Sequence, residues 1–326
     1  MARGWRRGGV WFSLVAALTL LLAACGPAVD TPEACALVRK AELPVRFVGN
    51  LPVVEVKVNG RRASMVLDTG GFFNNVNKRA AQSLHLRDDW NQPVIDHSTL
   101  RIETGQLALD SDAEVAAELP MPSDFLVFGE PTRGLEDIDG RLGRDVLQNF
   151  DLDLDFPHDR VVLYQARHCP SSKPEIGVQF RELPHLSIAP SGPLRPGLVV
   201  VGLDGFLQTA LINTGTSIST VDRNSALQMG LTEATLNRDE IIMGASASGS
   251  DVGLIVHRFH RLELTPWAVD APLLAVMPFP DLGRLPPFDM ILGNDFLRFH
   301  RIWLSLASGK AYGAVPPSRE ASAAPP

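Results

Sequence analysis

Residues 54–86 read VEVKVNGRRASMVLDTGGFFNNVNKRAAQSLHL, and residues 199–231 read VVVGLDGFLQTALINTGTSISTVDRNSALQMGL. The two align without a gap at an offset of 213 - 68 = 145 residues. Val54, Val56 and Val58 match Val199, Val201 and Leu203, an alternation that predicts a half-buried strand. Gly60 and Gly205 mark the turn that follows, and Val66-Leu67 and Leu211-Ile212 predict continuous apolar strands. Thr69-Gly70 then matches Thr214-Gly215, and residues 76–86 and 221–231 carry Ala and Leu at the spacing of short helices.

A second block follows each copy. Asp139-Gly140-Arg141-Leu142-Gly143-Arg144-Asp145-Val146-Leu147 matches Asp289-Met290-Ile291-Leu292-Gly293-Asn294-Asp295-Phe296-Leu297, at an offset of 293 - 143 = 150. Both blocks run on into what reads as one alternating strand each, 151–164 and 301–312, ending in the chain's two tyrosines, Tyr164 and Tyr312. Duplication explains this arrangement: one ancestral unit is used twice. The resulting layout is a leader at 1–24, a tether at 25–43, a first repeat at 44–167 and a linker at 168–178. A second repeat at 179–313 and a tail at 314–326, rich in Pro, Ala and Ser, complete it.

The leader carries Arg3, Arg6 and Arg7, and then an uncharged stretch, 10–24, too short for a membrane span of about 20 residues. This is the pattern of a secretory signal peptide. It ends Leu22-Ala23-Ala24-Cys25, which resembles the bacterial lipobox; a soluble periplasmic protein with an unrelated Cys25 is the alternative. The resemblance implies a lipidated Cys25, an anchor on the periplasmic side of a membrane and, from Gly26, the outer membrane. Of the three cysteines, Cys35 and Cys169 remain, either as one disulfide in an oxidising envelope or as two free buried thiols. The net charge is -7, and -7 - 3 = -10 without the leader, so an acidic body argues against nucleic acid as a partner.

Met65-Val66-Leu67-Asp68-Thr69-Gly70, the Leu-Gly-Arg-Asp block about 75 residues later and the tandem copy of both resemble the retropepsin-like aspartic peptidases, in particular their bacterial envelope members. The resemblance covers most of residues 50–165 and 195–312 and implies a mainly β fold of two tandem acid-protease lobes with short helices. It also implies a monomer with both lobes in one chain, a peptide or protein substrate, and no metal or cofactor. In that chemistry two carboxylates share one proton across a symmetric cleft; one activates water and the other donates to the peptide carbonyl. Asp68 takes the catalytic position, Thr69 and Thr214 tie the two loops together by bonding across, and Gly70 and Gly215 let the backbone turn with no side chain in the cleft.

The sequence departs from the pattern at Asn213, which stands where the second carboxylate is expected. Asparagine keeps the shape and hydrogen bonds of aspartate but cannot ionise. Three readings follow: an endopeptidase in which Asp68 is the base and the Asn213 amide polarises the carbonyl, an impaired pseudopeptidase that binds extended peptides, and pairing of Asp68 with its copy in a second molecule. Asp145 and Asp295 are expected to cap helix N-termini. A hairpin tip at 241–250, with Gly244, Ser246, Ser248 and Gly249, is expected to form a flap over the cleft, with Thr104-Gly105 near the equivalent place in the first repeat. His257 and His260 belong to no metal motif and are expected to decorate a strand.

Overall fold

In each repeat a hairpin, a loop and a wedged strand build the same knot of chain. Strand Leu51–Val58 returns as Arg61–Leu67 through Asn59-Gly60, both at positive φ. Strand Leu198–Leu203 returns as Phe206–Ile212 through Asp204-Gly205, in the same conformation. Asn-Gly and Asp-Gly are the pairs that tolerate this mirror-image turn, whose twist matches the strands. The chain then loops through 68–73 or 213–219 into short strands Asn74–Asn77 and Thr220–Asp222.

The space between the outgoing and incoming strands is filled from far along the chain. Strand Gly140–Leu142 pairs parallel with Arg61–Leu67, with Arg141 beside Val66, and antiparallel with Asn74–Asn77. Strand Met290–Leu292 does the same in the second repeat, with Ile291 beside Leu211 and Thr220. Gly140 is required here by crowding: a Cβ would lie 1.9 Å from the Asn75 carbonyl oxygen. Each wedged strand leads into a one-turn helix, Arg144–Leu147 or Asn294–Leu297.

This computed structural model describes residues 36–88, 101–109, 121–129, 134–167, 174, 176–185, 197–245, 251–279, 288–306 and 308–315. The fold is mainly β and two-lobed, with short helices. Among the described residues one sheet belongs to each repeat, and a third, six-stranded sheet takes strands from both. At the centre of that third sheet Asp151–Asp155 pairs antiparallel with Arg301–Ser305, and Asp153 lies opposite its own repeat counterpart, Trp303. One face of this pair, Leu152, Leu154, Ile302 and Leu304, joins the continuous apolar core. The other face holds the fully buried Asp153 and Asp155. Arg301 grips Asp153 with two hydrogen bonds of 2.9 and 2.6 Å and reaches Asp155 at 3.2 Å, as buried charge requires.

Several sequence expectations change in detail. The stretches 151–164 and 301–312 are hairpins rather than single strands. Phe156-Pro157-His158 forms a 3-10 turn closed by Asp159 at positive φ, and Gly309 supplies the matching break. The helices within 76–86 and 221–231 are shorter, Lys78–Ser83 and Arg223–Gln228, and start where Asn77 and Asp222 accept from backbone N–H groups. Residues 36–43, placed in the tether by the sequence layout, lie in strand Ala36–Pro44 at the edge of the third sheet. Cys25, Cys35, Cys169, the leader and the end of the tail lie outside the described residues.

Candidate functional site

The two Thr-Gly loops meet. Thr69 N–H donates to Thr214 Oγ1 (3.0 Å), and Thr214 N–H donates to Thr69 Oγ1 (3.1 Å). Each hydroxyl in turn donates to a carbonyl in the opposite repeat, Thr69 to Ile212 (3.0 Å) and Thr214 to Leu67 (2.6 Å). Both threonines are buried. Four bonds related by a two-fold exchange hold the loops in register, which is the role expected of Thr69 and Thr214.

The glycines are needed to keep side chains out of the site rather than for the turn. Neither Gly70 nor Gly215 has a positive φ, so no left-handed turn requires them. Close approach across the two-fold does. A Cβ on Gly215 would lie 2.2 Å from Asp68 Cγ, and one on Gly70 would lie 2.3 Å from Asn213 Cγ. Asp68 and Asn213 therefore lie over the opposite loop's glycine, brought together at one place.

Asp68 is buried. Its Oδ1 accepts from the N–H groups of Gly70 (3.1 Å) and Gly71 (2.7 Å). Asn213 is the same in outline: its Oδ1 accepts from Gly215 N–H (2.8 Å). The difference lies in the remaining carboxylate oxygen. Asp68 Oδ2 accepts from Arg141 Nη1 at 3.1 Å, and the same nitrogen donates to the Gly215 carbonyl at 2.8 Å. The ion pair is shielded, with side-chain exposures of 12% for Arg141 and 8% for Asp68. Arg141 thus reaches from the first repeat's wedged strand across the floor of the site to the second repeat's loop.

Sequence reasoning quoted Arg141 within the Leu-Gly block but assigned it no role. A signal was present: its counterpart is Ile291, so a charge replaces an apolar residue at a position that the other repeat keeps apolar. The other parts of the block form a support ring. Asp145 Oδ2 accepts from Asn74 N–H (3.1 Å) and Oδ1 from Val146 N–H (2.9 Å). Asp295 Oδ1 accepts from Ser219 N–H (2.8 Å), Ser219 Oγ (2.6 Å) and Phe296 N–H (3.0 Å). Gly143 and Gly293, not these aspartates, take the N-cap positions; the aspartates lie in the first turn and fasten each helix to the strand leaving the loop. Burial pushes Asp145 up to about 6 and raises Asp295 in the same direction, against the hydrogen bonds that favour their charged forms. Asn294 Nδ2 braces the second loop from behind by donating to the carbonyls of Thr214 (2.6 Å) and Thr216 (2.9 Å).

The expected flap is a hairpin. Glu240–Ala245 pairs antiparallel with Asp251–Arg258, with Gly244 opposite Val252 inside the ladder. Ser246, Ser248 and Gly249 lie outside the described residues. Ile241 and Met243, on one face of this hairpin, are 66% and 70% exposed. His257 sits on its second strand, 2.7 Å from Asp239. Thr104-Gly105 is not a hairpin tip; it lies within strand Arg101–Leu109, with Thr104 opposite Arg87 and Asp124 and Gly105 opposite Ser123.

No protein-family model matches the chain, and no curated protein matches it. Among solved structures it is similar to basic 7S globulin from soybean, at 12% identity and a TM-score of 0.43 over 89% of this chain and 98% of that one. The two-lobed description rests on the strand topology and the paired loops, not on this distant likeness.

Proposed function

We propose that the protein is an aspartic-peptidase relative that holds extended polypeptide in the cleft between its lobes and lacks the acid pair needed to cut it. The observation that carries this reading is the Asp68–Arg141 ion pair facing a neutral Asn213. Peptide hydrolysis by this chemistry needs two carboxylates and one proton between them. Here an amide stands at one of the two positions, and the oxygen of Asp68 that Gly70 and Gly71 leave free accepts from a guanidinium. The exposed apolar pair Ile241 and Met243 on the flap hairpin supports contact with a polypeptide rather than with a small polar ligand.

A second reading is a slow endopeptidase with Asp68 as base and the Asn213 amide polarising the carbonyl. It is favoured by the intact cradle of Gly70 and Gly71 N–H groups around Asp68 and by the equivalent bond from Gly215 to Asn213. Losing an essential acid or base costs on the order of 10²–10⁴-fold in rate, so any such activity is expected to be weak.

The proposal extends to location. The basic, apolar leader ending in Leu22-Ala23-Ala24-Cys25 supports a lipid anchor that presents the cleft on the periplasmic side of a bacterial membrane. The test is to incubate purified protein with unfolded casein from acid to neutral pH and to measure binding and cleavage together. Binding without cleavage is the expected result. Cleavage that disappears in Asp68→Ala would establish the slow peptidase instead, and no binding at all would remove both readings.

A further inference from the structure

We propose that Arg141 is a second lock on this site, so that restoring the missing carboxylate alone does not restore a working acid pair. The inference rests on the cleft reading above and adds a residue to it. Among the described residues Arg141 is the ion-pair partner of Asp68, and its Nη1 serves two acceptors at once, Asp68 Oδ2 and the Gly215 carbonyl. That nitrogen spans the junction between the two repeats, directly beside the loop that carries Asn213.

The physical consequence concerns charge. Two carboxylates in contact hold a shared proton because both cannot ionise against each other. A guanidinium in the same site removes that repulsion by balancing one negative charge. With Asn213→Asp, the floor would contain two carboxylates and one cation, an arrangement in which both acids stay ionised. Water could still lose a proton to one of them, but the attack would begin with no carboxylic acid in place to donate to the peptide carbonyl oxygen. Arg141 also uses the oxygen, Oδ2, that is not engaged by Gly70 and Gly71, so it competes for that oxygen with a lytic water.

The molecule contains its own control. At the corresponding point of the second repeat, Ile291 sits in the same wedged strand, flanked by Leu211 and Thr220 as Arg141 is flanked by Val66 and Asn75. An apolar side chain therefore fits this backbone. Arg141 is a positioning residue by this account: it acts through Asp68 and does not itself exchange protons.

The test compares full-length wild type, Asn213→Asp, Arg141→Ile, the double variant Asn213→Asp with Arg141→Ile, and Asn213→Asp with Arg141→Lys. Arg141→Met in the Asn213→Asp background is carried alongside, so that a folding defect of the Ile form leaves the comparison intact. Each is assayed with fluorescein-labelled casein for binding, for cleavage across pH and for its thermal unfolding midpoint. The double variant is expected to cleave at least about 100-fold faster than either single variant, with a bell-shaped acidic profile from the restored pair. The Lys form is expected to stay at the level of Asn213→Asp, because it keeps the cation; a role in packing alone would make Lys and Ile behave alike. Asn213→Asp alone matching the double variant would overturn the proposal, as would a folded, casein-binding double variant that cleaves nothing. Wild type failing to bind casein would strike the cleft reading itself, a different failure.

Discussion

The two repeats share their scaffold and differ in their charge. Thr69 and Thr214, Gly70 and Gly215, Asp145 and Asp295 perform matching structural tasks in the two halves. Around the junction, however, the first repeat has Asp68, Arg141 and Arg144 where the second has Asn213, Ile291 and Asn294. The second half carries a neutral amide at this point, and the first half carries a carboxylate paired with a cation. A lone buried carboxylate would carry a desolvation cost that a nearby guanidinium offsets. Asn213 and Arg141 thus set the charge of the junction together: one ion pair and one neutral amide.

The shared scaffold predicts equal effects, and the largest. Thr214→Val would leave Leu67 C=O and Thr69 N–H buried without a partner, and Thr69→Val would do the same to Ile212 C=O and Thr214 N–H. At about 1–3 kcal/mol per buried group, each variant should lose about 4 kcal/mol, read as a shifted denaturant midpoint. Clearly unequal losses would break the symmetry argument.

The charge difference predicts unequal ones. Arg141→Ile alone strips the partner from a buried carboxylate and should cost about 3 kcal/mol in a thermal melt, whereas Ile291→Val should cost about 1 kcal/mol. Between the glycines, Gly215→Ala should be worse than Gly70→Ala, by about 1 kcal/mol within the usual range for overpacking. The added methyl of the first meets Asp68, which three donors hold in place; that of the second meets Asn213, held by one.

The two repeats also differ in a pH dependence. Asp145 binds its proton up to about pH 6 in the folded protein, because burial disfavours its charge, and to about pH 3.9 when unfolded. The folded state thus holds the extra proton between these values. Stability from this group is full below about pH 4, declines as pH rises and levels off above about pH 6. Asp145→Asn should flatten that decline in a series of melts. Part of the slope should remain, since Asp295 is raised in the same direction.

Much of this was legible in sequence because duplication made it so. The alternation of Val54, Val56 and Val58, the turn glycines and the Asp-Thr-Gly loop each have a second copy that tests the first. What escaped was tertiary. The wedging of 140–142 between two strands is a contact of distant segments, and no local periodicity encodes it. The glycines were expected to leave the cleft free of side chains, but that the side chain they make room for comes from the other repeat could not be read. Arg141 went unassigned because an arginine in an exposed strand and one bridging a buried carboxylate read identically in one dimension. Only the mismatch with Ile291 distinguishes them.

The central claim is that Asp68 no longer works as half of an acid pair. The most direct measurement is cleavage of unfolded casein by wild type from acid to neutral pH, with Asp68→Ala measured in parallel. The account predicts that the two proteins give the same background. Cleavage by wild type that Asp68→Ala abolishes would contradict it.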